Sequence, residues 1–458
     1  MTRVLAIGLD CIPPSVLDPP LAAAMPTVSR LAREGCGGVL ESTLPPITVP
    51  AWTTMLSGRD PGELGLYGFR NRRSYRYGDL SYATSRSVRY PRVWDYLTRA
   101  GEPSIVVGLP QTSPPPPLEG VLVSGFEGPV DGRFTSPPAA RERVEEAVGE
   151  YVFDVEDFRR AELDDVLETV YLMTERRFRL ARHLVRSEPW RFAIVHEIGP
   201  DRLHHCFWRF HDPEHPRHDP SSRHAGAIVD YYRFLDGHVA ELVEAAGPEA
   251  AVLVASDHGA VAMHGAVCVN EILRQAGLLT LRTEPPRPVP LDPEQVDWPR
   301  TVAWAEGGYY ARVFLNVAGR EPEGALRPED RPAAVERLKE LLGTVELEDG
   351  RVLRNRVHEP SELYARVRGL APDLLVFFEG ERWRSIGTVG GGARHAATND
   401  TGADDANHAR DGMYALRVPG GAPRGRRDAS ILDIAPTLLA LLGHRPENGV
   451  RGTDLLAA

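Results

Sequence analysis

Along most of the chain, continuous apolar runs of strand length alternate with helix-like stretches. RVLAIGLD (3–10), PSIVVGL (103–109), GVLVSGF (120–126), RFAIVHEIGPD (191–201) and AAVLVASDHG (250–259) are apolar at successive positions rather than at every second one. Strands of that kind are buried on both faces, which predicts a mainly parallel sheet covered by helices on both sides. VWDYLTRA (93–100) and an amphipathic stretch around 160–186 supply helices. Between 281 and 370 the texture changes to Pro-rich and charged segments such as TEPPRPVPLDPEQVDWP, followed by ARVFLNVAGREPEG and the helical PAAVERLKELLG. This predicts a smaller cap or inserted lobe at 281–370, with 1–280 and 371–458 forming the core. APDLLVFFEG (371–380) and ILDIAPTLLALLG (431–443) then read as the sheet resuming and a last helix. The PPPP run at 114–117 reads as a stiff surface loop.

At 458 residues, 26% of them charged, the chain has ample material for one large α/β core with an added lobe. A formal charge of −11 argues against a general basic surface for nucleic acid or anionic membrane. No apolar run reaches membrane-spanning length, and the start MTRVLAIGLD has no signal-peptide pattern. The four cysteines (Cys11, Cys36, Cys206, Cys268) lack CxxC spacing and read as reduced thiols, so the expected location is the cytoplasm.

Three of the apolar strands end in acidic residues: Asp10, Asp201, and Asp257 followed by His258. In an open parallel sheet, ligands bind beyond the carboxyl ends of the strands, so these residues can converge on a metal. Taken singly, an Asp after a strand serves equally well as a cap for the next helix. His205 lies four residues after Asp201, on the same face of a helix, and is preferred over His204 on that spacing. Carboxylate with imidazole is zinc-type ligation. Gly259 permits a sharp turn that lets Asp257 and His258 face one centre. His408, in DDANHARDGMY, can deliver a further imidazole from a polar loop.

Thr48 opens PPITVPAWTTMLSG's helix-like run, two residues ahead of Pro50. A hydroxyl there sits among the free N–H groups of a helix N-terminus, which favour an anion; its plain alternative is an N-cap. HDPEHPRHDPSSRH (211–224) reads as a surface loop near the site. Trp304, Tyr309 and Tyr310 read as packing of the smaller lobe rather than as a leaving-group pocket.

Together these residues resemble the type I phosphodiesterase/nucleotide pyrophosphatase branch of the alkaline phosphatase superfamily. The order of an early Asp, a nucleophile opening a helix, a PDxxxH segment, a DHG segment and a late His appears as Asp10, Thr48, Asp201 to His205, Asp257-His258-Gly259 and His408. TVPAWTTMLSG, HCFWRFHDPEHP, NVAGREPEG and DIAPTLLALLG are similar to phrases of microbial members. The resemblance implies an alkaline-phosphatase-like core and two divalent metals, zinc with manganese or iron as alternatives. One would be held by Asp201, His205 and His408, the other by Asp10, Asp257, His258 and the Thr48 oxygen. It further implies hydrolysis of a small phosphate ester, diester or nucleotide pyrophosphate, through a phospho-threonine on Thr48. A phosphomonoesterase on the same site is the alternative reading.

The sequence departs from that family where an Asn normally follows the nucleophile: the stretch is LGLYGF, with Leu64 and Phe69. Arg70 or Asn71, and then Arg72 or Arg73, are candidate replacements for that phosphate contact, although a solvated charge cluster is the plainer reading. A sulfatase is disfavoured because Thr48-Val49-Pro50-Ala51-Trp52 has no convertible Cys or Ser and no following Arg. A phosphoglycerate mutase ranks lower still, for it uses a Ser nucleophile. A non-catalytic sensor of a phosphorylated ligand would be expected to have lost ligands, and all seven positions carry competent groups. The leaving group and the oligomeric state stay open at this stage.

Overall fold

The computed structural model describes residues 2–129, 132–402, 404–421 and 425–457. Its central sheet holds β1 (Arg3–Leu9), β2 (Cys36–Glu41), β3 (Ser104–Leu109), β4 (Gly120–Ser124), β5 (Phe192–Glu197), β6 (Ala250–Ala255) and β7 (Asp411–Arg417). The order across it is β2-β7-β6-β1-β5-β3-β4, with short strands at both edges. The five runs predicted from continuous apolarity are the five contiguous parallel strands, β6-β1-β5-β3-β4. β7 runs antiparallel to both β6 and β2, so the sheet, mainly parallel as predicted, is mixed at that flank.

Alternate residues of β1 feed two cores. Leu5, Ile7 and Leu9 pack with α2 (Leu163–Ser187), α3 (Gly199–His211) and α4 (Ala227–Ala246), whereas Val4 and Ala6 pack with α1 (Thr48–Ser57) and α5 (Ile434–Leu442). The two-sided helical cover follows from strands apolar on both faces. α1 fits so closely under β1 that a Cβ on Gly8 would lie 2.4 Å from the Trp52 ring.

A second sheet of four strands, Ala303–Glu306, Ala311–Leu315, Leu374–Phe377 and Arg356–His358, builds the smaller lobe. Leu374–Phe377, expected to rejoin the central sheet, pairs here instead, antiparallel to both neighbours. The apolar cluster of this lobe takes in residues from Val267 to Val389, a wider span than 281–370. Its strands are apolar runs of the same kind as those of the core, so composition alone does not assign them to one sheet or the other. No helix among the described residues is long and apolar enough to cross a membrane, and the four cysteines are free and buried.

Candidate metal centre

β1, β5 and β6 run parallel, and their carboxyl ends deliver Asp10, the start of α3, and Asp257 to one place. Asp201 occupies the first turn of α3 and His205 follows one turn later, so both face the same point. His204 turns away to the Tyr232 hydroxyl, 2.7 Å off, as the spacing predicted. His408 arrives on the strand Ala406–Ala409, which pairs antiparallel with Gly259–Ala262 directly after His258. That pairing stacks the His258 and His408 rings 3.8 Å apart and so places the two residue groups side by side. Gly259 is required for space rather than for a turn: a Cβ there would lie 2.2 Å from the Asp411 carbonyl oxygen.

In the first group, Asp201 Oδ1 lies 3.3 Å from His205 Nε2 and 3.3 Å from His408 Nε2, and the two nitrogens are 3.3 Å apart. A tetrahedron with zinc-to-ligand lengths of about 2.0–2.1 Å has edges of about 3.3–3.4 Å, so the three atoms already span one face of such a site. In the second group, His258 Nε2 lies 3.3 Å from Asp257 Oδ2 and 3.6 Å from Asp10 Oδ1. Asp10 Oδ1, Asp201 Oδ1 and Asp257 Oδ2 are buried without hydrogen-bond partners. Buried carboxylate oxygens left unpaired are costly, and a divalent cation at each group satisfies them. The residues therefore fit two metal ions.

The opposite atoms of these side chains are held by groups the sequence did not single out. Asp10 Oδ2 accepts from Trp52 Nε1 at 2.8 Å and lies 2.8 Å from His196 Nε2, which leaves Oδ1 for the centre. His205 Nδ1 faces Asp404 Oδ1 at 2.7 Å and the Ala406 carbonyl at 3.0 Å, while His408 Nδ1 faces the Pro46 carbonyl at 2.9 Å. Facing acceptors, these Nδ1 atoms carry the ring hydrogens and turn the Nε2 lone pairs inward. Asp404 is gripped in turn by Arg159, at 2.9 Å, and by Arg384.

The electrostatics agree. Burial lowers His258 to about 3 and His408 to about 4, which favours the neutral imidazole that binds a cation. Burial, and then the neighbouring Asp10, push the Asp257 carboxyl well up, as expected for a buried carboxylate beside a like charge. His205 is the exception: burial opposes its charged form, yet the nearby Asp404, Tyr309 and Asp201 raise it to about 10, so a cation there has to displace the proton from Nε2.

Thr48 is the first residue of α1, and its Oγ1 lies 3.4 Å from His258 Nε2 at the second group. Ile47 occupies the cap position with no side-chain capping bond, so the Thr48 hydroxyl is not spent on its own helix. All seven sequence-predicted residues thus come together.

The weaker candidates fare differently. Asn71 is committed to the chain around it, accepting from Tyr67 N at 2.8 Å and donating to Gly68 O at 2.9 Å. Arg70 reaches the wall of a cavity beside the first group. Arg72, read as solvated, is buried in an ion pair 3.1 Å from Glu321. Arg73 does stay at the surface, paired with Asp79. Trp304 packs inside the smaller lobe as expected, whereas Tyr310 is buried against Ile47 and Phe377 and also lines that cavity, and the Tyr309 ring stacks on His408 at 3.7 Å.

The cavity beside the first group measures about 340 Å³ and is lined by five arginines (Arg70, Arg159, Arg202, Arg312 and Arg384) with Phe69, Phe158, Tyr309 and Tyr310. A larger one of about 990 Å³, along 150–161 and α2, contains none of the seven residues and meets the first only around Phe158, Arg159 and Thr401.

Glu127, on the wall of the larger cavity, is pushed up to about 7 by burial while Oε1 accepts from Gln111 N at 2.5 Å. Its ordinary value is 4.5, so the folded state holds the proton more tightly. The stability this contributes is complete below pH 4.5 and is lost as pH rises through about 7. Glu127→Gln is accordingly expected to melt at a higher temperature than the parent at pH 8 and to match it closely at pH 5, read by thermal denaturation at both values.

At one edge of the α/β sheet lie two buried acidic and histidine groups, each of which could hold a metal ion. Residues 4–405 match the model of the type I phosphodiesterase/nucleotide pyrophosphatase family, and the chain belongs to that family. Among solved structures it is similar to human ectonucleotide pyrophosphatase/phosphodiesterase 5, with a TM-score of 0.56 at 14% identity over 100% of both chains. It is also similar to the murine protein of that name, in an inactive form in complex with AMP, with a TM-score of 0.57 at 11% identity over 99% of this chain and 98% of the other. No curated protein matches the chain in sequence.

Proposed function

We propose that the protein hydrolyses a phosphodiester or nucleotide-pyrophosphate type of substrate through a phospho-threonine formed on Thr48. The observation that carries this reading is the position of the Thr48 hydroxyl, at a helix N-terminus, uncommitted to capping, and 3.4 Å from a nitrogen of the second residue group. Zinc is the metal proposed for both groups, since two imidazoles and a carboxylate at tetrahedral edge lengths in the first, and one imidazole with two carboxylates in the second, suit it. Ions held by Asp201, His205 and His408 and by Asp10, Asp257 and His258 would supply Lewis-acid charge that lowers the pKa of the Thr48 hydroxyl and neutralises the leaving oxygen.

The chain's own residues do the rest. α1 directs its free N–H groups toward a phosphoryl group in contact with Thr48. Thr48 gives up its hydroxyl proton to solvent and attacks phosphorus through Oγ1; the bond from phosphorus to the leaving oxygen breaks and that oxygen takes up a proton; water then hydrolyses phospho-Thr48, releasing the phosphorylated product and restoring the hydroxyl. The arginine- and aromatic-lined cavity beside the first group suits an anionic, ring-bearing substrate portion. The AMP bound by the murine relative supports a nucleotide in that role.

The test is hydrolysis of p-nitrophenyl phosphate, bis-p-nitrophenyl phosphate and p-nitrophenyl sulfate by zinc-loaded and chelated protein. Diester cleavage that exceeds monoester cleavage and disappears on chelation is the expected result. A preference for the monoester moves the assignment to a phosphomonoesterase, preference for the sulfate to a sulfatase-like enzyme, and bound metal with no turnover of any ester to a sensor of phosphorylated ligands.

A further inference from the structure

Tyr309 comes from the smaller lobe, yet its hydroxyl reaches the first residue group. A Gly-Gly turn presents it. Gly307 has no room for a Cβ, which would lie 2.5 Å from Gly387 N, and Gly308 sits at a φ of +144° that disfavours other residues. Gly308 and Ser385 exchange backbone hydrogen bonds of 2.9 Å in both directions, fixing the turn to the strand Trp383–Ile386. The Tyr309 carbonyl accepts from Asn407 Nδ2 at 3.2 Å, and Asn407 is the residue before His408. The ring lies 3.7 Å from that of His408, with the Arg384 guanidinium 4.3 Å from its centre. So much fixing of one phenol is more than packing of a half-buried side chain requires.

The hydroxyl has a defined donor and an uncommitted hydrogen. Arg159 Nη2 donates to it at 2.9 Å, so its oxygen accepts. Its other neighbour is His205 Nε2, at 3.3 Å. His205 Nδ1 is committed to Asp404 and Ala406, so Nε2 is the atom that faces a cation. Once that lone pair is taken, the Tyr309 hydroxyl hydrogen has no acceptor among the described residues, and a phosphoryl oxygen entering beside the first group supplies one.

We propose that Tyr309 is a catalytic hydrogen-bond donor whose hydroxyl, oriented by Arg159, binds a non-bridging oxygen of the phosphoryl group at the first residue group. The inference rests on the phosphate-ester reading above. It also assigns the phosphate contact that Asn71 does not make, from a different lobe of the protein. A donor preorganised in this way raises affinity for the charge-rich transition state more than for the substrate.

The experiment compares the parent with Tyr309→Phe, both zinc-loaded, by metal content, calorimetric binding of orthovanadate, and kinetics with bis-p-nitrophenyl phosphate. The variant is expected to keep the parent's zinc content, to bind vanadate at least tenfold more weakly, and to lose about 10²-fold in kcat with a smaller change in KM. Vanadate affinity and kcat within twofold of the parent overturn the proposal. Loss of zinc on removing the hydroxyl overturns it as well, since Tyr309 would then serve the metal rather than the phosphoryl group. A parent that cleaves no ester but loses vanadate binding on substitution overturns the function while keeping the contact.

Discussion

Replacing Thr48 by alanine is expected to lower kcat/KM for phosphate esters by at least about 10³-fold while the protein keeps its metal content and melting temperature. Both halves of that expectation come from geometry. The hydroxyl is the nucleophile of the proposed mechanism, and a metal-activated water that takes its place lacks the covalent path. Among the described residues the Thr48 hydroxyl makes a single side-chain hydrogen-bond contact, the 3.4 Å approach to His258, and α1 is not capped by it, so little fold stability goes with it. Thr48→Ser keeps the oxygen and should retain activity within about tenfold. Parallel kinetics and metal analysis of the two variants check the prediction, and a Thr48→Ala enzyme as fast as the parent would assign the attack to water.

The second large effect is expected from Asp404, which lies behind His205 and outside the cavity lining. Its Oδ1 orients His205 from 2.7 Å, and its Oδ2 takes Arg159 at 2.9 Å together with Arg384. Asp404→Ala removes the acceptor that turns His205 Nε2 inward, for which about 10- to 100-fold weaker metal binding at the first group is expected. It also leaves the buried Arg384 and the largely buried Arg159 without their carboxylate, a loss on the order of 3–5 kcal/mol. Burial opposes ionisation of Asp404, but His205, Arg159 and Arg384 hold its carboxyl well below the usual carboxylate range. The stability it contributes is therefore complete above its ordinary value of 3.8 and is lost only as pH falls below that. Asp404→Asn, which keeps the shape and an acceptor oxygen, should fall between parent and Ala in both zinc affinity by competitive chelation and denaturant midpoint.

The seven clustered residues were legible because each stands at a position where chain geometry leaves few choices. Asp10 directly follows one buried parallel strand and Asp257 lies two residues past the end of its neighbour, and the two ends must share one edge of the sheet. Asp201 and His205 are one helical turn apart. His408 carries no such local signal: it came from the order of motifs, and the structure supplies the reason in its pairing with the strand after His258. The supporting residues were hidden. His196 reads as an interior strand position, Trp52 as a core aromatic on an apolar helix, and Asp404 as half of an acidic pair in a polar loop. What marks them is contact across 42 to 199 residues of sequence, which no local spacing encodes.

The architecture shows the same division. Parallel strands buried on both faces announce themselves, and all five were read. β2 was not, because Gly37 and Gly38 interrupt its apolar pattern. Both glycines are required by contact, since a Cβ would lie 2.7 Å from the Tyr414 carbonyl at Gly37 and 2.5 Å from the Arg427 carbonyl at Gly38. Leu374–Phe377 was read as a strand and assigned to the wrong sheet, for pairing partner is a tertiary property that an apolar tetrad does not carry.

The most direct test of the account is an acid quench of the zinc-loaded protein during turnover of a substrate labelled with ³²P at the scissile phosphorus, followed by peptide mapping. The account predicts label covalently bound to the peptide carrying Thr48, absent from chelated protein and from Thr48→Ala. Rapid turnover with no labelled peptide at any quench time, or label on another residue, would contradict it.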